Sequence, residues 1–189
     1  MIKAIIFDCF GVLATDHWRA FCEEYIAPIP GALDEVWALN RDVDAGRITY
    51  SDFIRRVAIR TGLDEAHIHQ GMQVGDVNTE LLEYIKTQVA PHYRTGLLSN
   101  APDYWLDKIL TPAQVAMFDD ITLSYAVGMT KPSPEIYTLA AERLGVRPEE
   151  CLFVDDQPRN CDGAAQVGMH PLLYTTMPAF QVSFSALVE

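Results

Sequence analysis

The sequence predicts an α/β layer fold, a parallel sheet flanked by helices, with a helical lobe inserted after the first strand. Three observations carry this. Short apolar runs bounded by turn or helix signals recur along the chain, the pattern of strands buried on both faces. From about residue 80 onward these runs alternate with helical segments, as they do in a parallel sheet. Between Leu13 and about Asn78 the alternation gives way to helix after helix.

The first strand is Lys3–Phe7 (KAIIF). In the inserted lobe His17–Ile26, Leu33–Asn40 and Asp52–Thr61 read as helices. The last of these places Phe53, Ile54, Val57 and Ala58 on one apolar face, with Ser51 as its N-cap. The chain returns to the sheet near Asn78–Glu80, and Glu80–Val89 carries Leu81, Leu82 and Ile85 at helical spacing. The second and third strands are Thr95–Leu98 (TGLL) and Ile121–Tyr125 (ITLSY). Ser133, Pro134 and Glu135 open a helix with a capping hydroxyl, a proline at the first position and an early acid. Gly145 stops it. Cys151–Val154 (CLFV) is the fourth strand, and Arg159–Val167 a helix ended by Gly168. Pro171–Tyr174 (PLLY) suits an edge strand, where proline is tolerated at the start. Beyond Thr175 the pattern assigns no element.

Composition narrows the function. At 189 residues and 49% hydrophobic content the chain can bury a core without disulfide staples. Lys plus Arg is 14 against 26 for Asp plus Glu, a net charge of −12, whose field repels a polyanion, so no nucleic-acid partner is expected. An anionic small substrate then requires local positive charge at the site. No apolar run reaches the ~18 residues of a membrane span, so the expectation is a soluble, cytoplasmic protein without a membrane partner. Cys9, Cys22, Cys151 and Cys161 form no CxxC pair and read as reduced, mostly buried thiols. No sequence signal fixes the oligomeric state.

In open parallel sheets ligands bind beyond the carboxyl ends of the strands. Asp8 follows the first strand, Ser99 and Asn100 the second, Lys131 the third across a short loop, and Asp155 and Asp156 the fourth. Singly, each of these reads as a turn, a helix cap or a solvated charge. Together they put three carboxylates, a hydroxyl and an ammonium on one rim. Three acids side by side repel and call for a hard divalent cation, Mg²⁺ beside a phosphate. Ser99 and Lys131 suit phosphoryl oxygens, and one carboxylate can attack phosphorus.

These residues resemble the haloacid dehalogenase-like hydrolase superfamily over most of the chain. FDCFGVL (Phe7–Leu13) is similar to its first motif, LLSN (Leu97–Asn100) to its second and GMTKPSPEIY (Gly128–Tyr137) to its third. FVDDQPRNCDGAAQVGM (Phe153–Met169) is similar to the fourth, and AGRITYSDF (Ala45–Phe53) to a stretch of its helical caps. The resemblance implies a Rossmann-like core over residues 1–13 and 79–189, with a mobile helical cap over residues 14–78. It implies Mg²⁺-dependent hydrolysis of a small phosphorylated metabolite through an aspartyl-phosphate on Asp8. The metal would sit on Asp8, the Phe10 carbonyl and Asp156, with Asp155 direct or through water. Ser99, Asn100 and Lys131 would steady the transferring group.

One position departs from that pattern. Phosphatases of the superfamily usually carry a second aspartate two residues after the nucleophile, to protonate the leaving group and activate water. Here Phe10 stands there. Asp16, His17, His67 and His69 are candidate substitutes on the cap side. Phe10 is also compatible with the dehalogenase branch, which displaces halide at carbon, although that branch lacks the acidic pair of the fourth motif. A non-catalytic phosphate-binding regulator is the third reading.

Overall fold

A computed structural model describes residues 1–73, 75–103 and 105–188. Five parallel strands form one sheet in the order β3-β2-β1-β4-β5, a Rossmann-like arrangement. They are β1 (Ala4–Phe7), β2 (Arg94–Ser99), β3 (Asp120–Leu123), β4 (Cys151–Asp155) and β5 (His170–Leu173). The expected β3 ran on to Tyr125. The chain instead turns into a helix at Ser124, whose buried hydroxyl accepts from the Ala101 N–H at 2.9 Å. β5 is an edge, as its proline requires.

Side chains of a strand alternate between faces, and the central strand shows it. Ile5 and Phe7 enter one apolar cluster, Ala4 and Ile6 another, and all four are fully buried. The second cluster is closed by α9 (Pro134–Arg143) and α10 (Pro158–Gln166). Ser133 precedes α9 as expected, but its hydroxyl bonds the Glu135 carboxylate rather than a backbone amide. The first cluster is closed by α5 (Thr79–Tyr84, widening into Ile85–Val89), by the short α6 (Leu106–Ile109) and α7 (Pro112–Val115), and by α11 (Met177–Val188).

The segment left without an assignment in the sequence is therefore a core helix. Phe180 of α11 is fully buried, with its ring 6.2 Å from Phe7, 5.7 Å from Tyr84 and 5.4 Å from Phe184. Phe180→Ala is expected to cost about 3–5 kcal/mol of unfolding free energy, the price of a cavity among rings. Urea denaturation checks it.

The inserted lobe comprises α1 (His17–Phe21, widening into Cys22–Ile26), α2 (Ala32–Asp44), α3 (Tyr50–Thr61) and α4 (Glu65–Gly71). It has its own apolar cluster, including Phe21, Val36, Phe53, Val57 and Ile68. The N-cap of α3 is Thr49 rather than Ser51; its hydroxyl accepts the Asp52 N–H at 3.2 Å. Two adjacent passages connect lobe and sheet. Asn78 N–H donates to the Leu13 carbonyl at 2.9 Å, and Thr15 N–H to the Asp76 carbonyl at 3.0 Å. The Asn78 amide also reaches the Val12 carbonyl and the Tyr174 hydroxyl, pinning this junction to the core. Among the described residues no helix is long and apolar enough to cross a membrane.

Candidate active site

The carboxyl ends of β1 and β4 place Asp8, Asp155 and Asp156 together. One oxygen from each lies within 4.8 Å of the others. The loop after α8 (Ser124–Val127) brings Lys131 between two of them. Its Nζ stands 2.6 Å from Asp8 Oδ1 and 2.8 Å from Asp155 Oδ2, with side-chain exposures of 1%, 5% and 0%. Burial opposes the Lys131 charge, but the Asp155 and Asp8 carboxylates outweigh it and hold the ammonium above its ordinary value. Asn100 fixes the lysine's backbone, accepting its N–H at 2.9 Å and donating to its carbonyl at 3.1 Å.

Each carboxylate is used differently. Asp8 Oδ1 takes the Cys9 N–H and Lys131, and among the described residues Oδ2 accepts no hydrogen bond. Asp8 lines a cavity. Asp155 is saturated by Lys131, the Gln157 N–H at 2.8 Å and the Asn160 amide at 3.0 and 3.1 Å. Asp156 Oδ2 accepts from Arg19 of α1 at 3.0 Å, while its Oδ1 is buried without a partner among the described residues. A buried carboxylate oxygen left orphaned is costly. An all-oxygen donor set with one such atom fits a hard divalent cation. Gly11 keeps this corner open: at φ +93° a Cβ would lie 2.4 Å from Asp156 Cγ.

The remaining predicted residues are placed differently: Phe10, Asp16, His17 and His69 are among those that line the cavity, and His67 is not. Ser99 ends β2 fully buried, and its hydroxyl makes only a 3.4 Å contact with the Asn100 carbonyl. The Phe10 ring lines the cavity and packs on Trp105, with centroids 4.8 Å apart. Asp16 is spent as the N-cap of α1 and on Arg19. His67 packs against Phe21 and Tyr25, and His69 meets the Tyr50 hydroxyl at 3.2 Å.

The cavity above these strand ends measures about 1280 Å³. Trp18, Trp37 and Tyr50 of the lobe form part of its wall while also packing in the lobe's apolar cluster. Arg19, Arg41, Lys108, Lys131 and Arg159 bring positive charge to it, interleaved with acids such as Asp16 and Asp34. This is the local charge that an acidic chain needs to receive an anion. Sequence reasoning missed Arg19 and Asp44. The signal for Asp44 was its place four residues after Asn40 and eight after Val36, an acid on the inward stripe of α2.

A family model described as haloacid dehalogenase-like hydrolase matches residues 2–168. The chain belongs to this family. Among curated relatives, bifunctional epoxide hydrolase 2 of Sus scrofa is 28% identical over 91% of this chain, which spans only 36% of that protein. A D-ribitol-5-phosphate phosphatase of Bacteroides thetaiotaomicron is 26% identical, with 89% of each chain covered. An (S)-2-haloacid dehalogenase of Xanthobacter autotrophicus is 28% identical over 89% of this chain and 73% of its own. A solved HAD-like family hydrolase from Porphyromonas gingivalis superposes with TM-score 0.77 at 26% identity, covering 100% of this chain and 98% of that one. A Bacteroides thetaiotaomicron HAD family enzyme, solved with magnesium and inorganic phosphate, gives 0.73 at 25%, covering 94% and 96%. The fold of this hydrolase is thus that of its family, and its acid cluster is compatible with a metal.

Proposed function

We propose that this hydrolase is a Mg²⁺-dependent phosphatase acting on a small phosphorylated metabolite, with Asp8 as nucleophile. The observation that carries the reading is the buried arrangement of Lys131 between Asp8 and Asp155, beside an Asp156 oxygen with no partner among the described residues. We further propose that residues 14–78 act as a cap over a core of residues 1–13 and 79–189, since the two connecting passages meet at Leu13 and Asn78.

Asp8 and Asp156, with the Phe10 carbonyl, would hold the ion. Asp155 acts at one remove, because its oxygens are already taken by Lys131, Gln157 and Asn160. An ion held there would supply positive charge to the phosphoryl oxygens, so that two anions could meet. Asp8 Oδ2 forms the bond to phosphorus as the ester oxygen leaves, and water later cleaves the aspartyl-phosphate. Lys131 stabilises the charge that develops on the transferring group, and Asn100 keeps Lys131 in place. The Ser99 hydroxyl, held only by its 3.4 Å contact, is free to turn to a phosphoryl oxygen.

The test is phosphate release from a panel of phosphorylated sugars, sugar alcohols and nucleotides, with Mg²⁺ and with a chelator. The expected result is turnover of at least one ester, falling by roughly 10²-fold or more on chelation and restored by Mg²⁺. Chelator-insensitive halide release from 2-haloacids, which Phe10 and the dehalogenase relative make the natural rival, would overturn the reading. So would metal-dependent trapping of beryllium trifluoride without turnover of any ester.

A further inference from the structure

Asp44 ends α2 with its side chain on the cavity wall, 7% exposed, and no ion pair among the described residues. Its Oδ2 accepts the Asn40 amide one turn earlier, at 2.7 Å. Its Oδ1 accepts no hydrogen bond among the described residues, and Asp44 is one of the residues that line the cavity. The backbone is fixed to the rim of the sheet: the Ser124 hydroxyl donates to the Asp44 carbonyl at 2.6 Å and accepts from the Ala101 N–H at 2.9 Å. The carboxyl is thereby held by the lobe but registered to the core.

A buried acid that forms no ion pair among the described residues is retained at a cost in stability. Lys131 and Arg159 face it from the core and Asp16 from the start of α1. Tyr50 of α3, which packs along α2, shares the same wall. Burial lifts the carboxyl to about 7, with Lys131 pulling down, Asp16 pushing up and Arg159 pulling down. Such a group carries a proton in part of the molecules at neutral pH and can both give and take one. Of the other candidates, Asp16 pairs with Arg19, His69 meets the Tyr50 hydroxyl and His67 packs against Phe21 and Tyr25, while His17 lines the cavity from the start of α1 without the tie to the core that Asp44 has through Ser124.

We infer that Asp44 is the proton-transfer residue of this site, filling from the lobe the role that the Phe10 side chain cannot perform. The inference rests on the phosphatase reading above. In the first step the bond between phosphorus and the ester oxygen breaks while Asp8 bonds to phosphorus, and Asp44 gives its proton to the departing oxygen. In the second, the Asp44 carboxylate takes a proton from the water that attacks the aspartyl-phosphate. The net change is hydrolysis of one ester bond, with Asp44 protonated again.

The test compares two substrates whose leaving groups differ: D-ribitol 5-phosphate, or the fastest alkyl phosphate of the panel, and p-nitrophenyl phosphate, whose leaving group needs no proton. Asp44→Asn is expected to lower kcat on the alkyl phosphate by about 10²–10⁴-fold. With p-nitrophenyl phosphate the same variant releases one equivalent of nitrophenolate in a burst and then stalls. Phe10→Asp in the Asp44→Asn background returns part of the alkyl phosphate turnover. In the wild type, alkyl phosphate turnover falls as pH rises through about 7, while the nitrophenolate burst rate stays level. Unchanged alkyl phosphate turnover in Asp44→Asn overturns the inference, as does an equal loss on both substrates with no burst. A flat wild-type alkyl profile overturns it without any variant. Should Asp8→Asn be fully active, the phosphatase reading itself has failed, and the two failures are separable.

Discussion

Asp8→Asn is expected to abolish ester turnover, with kcat falling on the order of 10⁴–10⁶-fold. The amide that replaces Oδ2 is no nucleophile, and the side chain no longer carries the charge that a cation and Lys131 share. The fold should survive. The asparagine carbonyl can still accept the Cys9 N–H, and Asp155 still pairs with Lys131. The measurement is steady-state phosphate release together with intact-mass detection of the phospho-enzyme, which the variant should not form. Turnover within about tenfold of the wild type would mean that another group attacks phosphorus.

Lys131→Met is expected to injure stability as much as activity. The thioether fills nearly the same volume, yet it leaves Asp8 and Asp155 buried beside each other without a cation. Removing one partner of a buried ion pair typically costs about 3–5 kcal/mol. The sign of the pH dependence follows from linkage. With the ammonium gone, the burial that already raises the Asp8 carboxyl acts unopposed by Lys131, so the folded variant binds a proton there more tightly than the unfolded chain does. Its stability therefore rises as pH falls toward the ordinary carboxylate range and is lost as pH climbs. Denaturation midpoints measured without divalent metal from pH 5 to 8 check this. A variant as stable as the wild type and indifferent to pH would remove Lys131 from the centre of the site.

Most of the fold was legible in the chain because burial on both faces leaves a plain mark. KAIIF and CLFV could be little other than central parallel strands. The errors came where a local signal was outbid by a tertiary partner. Ser124 and Tyr125 continue an apolar run, yet the Ser124 hydroxyl is claimed by Ala101 and Asp44, so the strand ends at Leu123. The α11 segment has no polar face to give it a period, because Phe180 and Phe184 fill a gap between rings contributed by distant elements. Among site residues, Asp8, Lys131, Asp155 and Asp156 announced themselves by following strands. Arg19 and Asp44 did not, since each lies on a lobe helix where an acid or a base is ordinarily solvated.

The sequence alone determined the order of strands and helices, the rim on which the polar groups fall and the family to which they point. These follow from periodicity and from the place of charges after apolar runs, both local properties. Only the tertiary structure decided how the three acids divide their work, because that depends on which oxygen finds a donor. It also decided that a carboxyl from the inserted lobe reaches the cavity while the Phe10 ring turns onto Trp105. Long-range contacts such as Arg19 with Asp156, 137 positions apart, leave no trace in spacing. They arise from packing the helices between β1 and β2 against the ends of the strands.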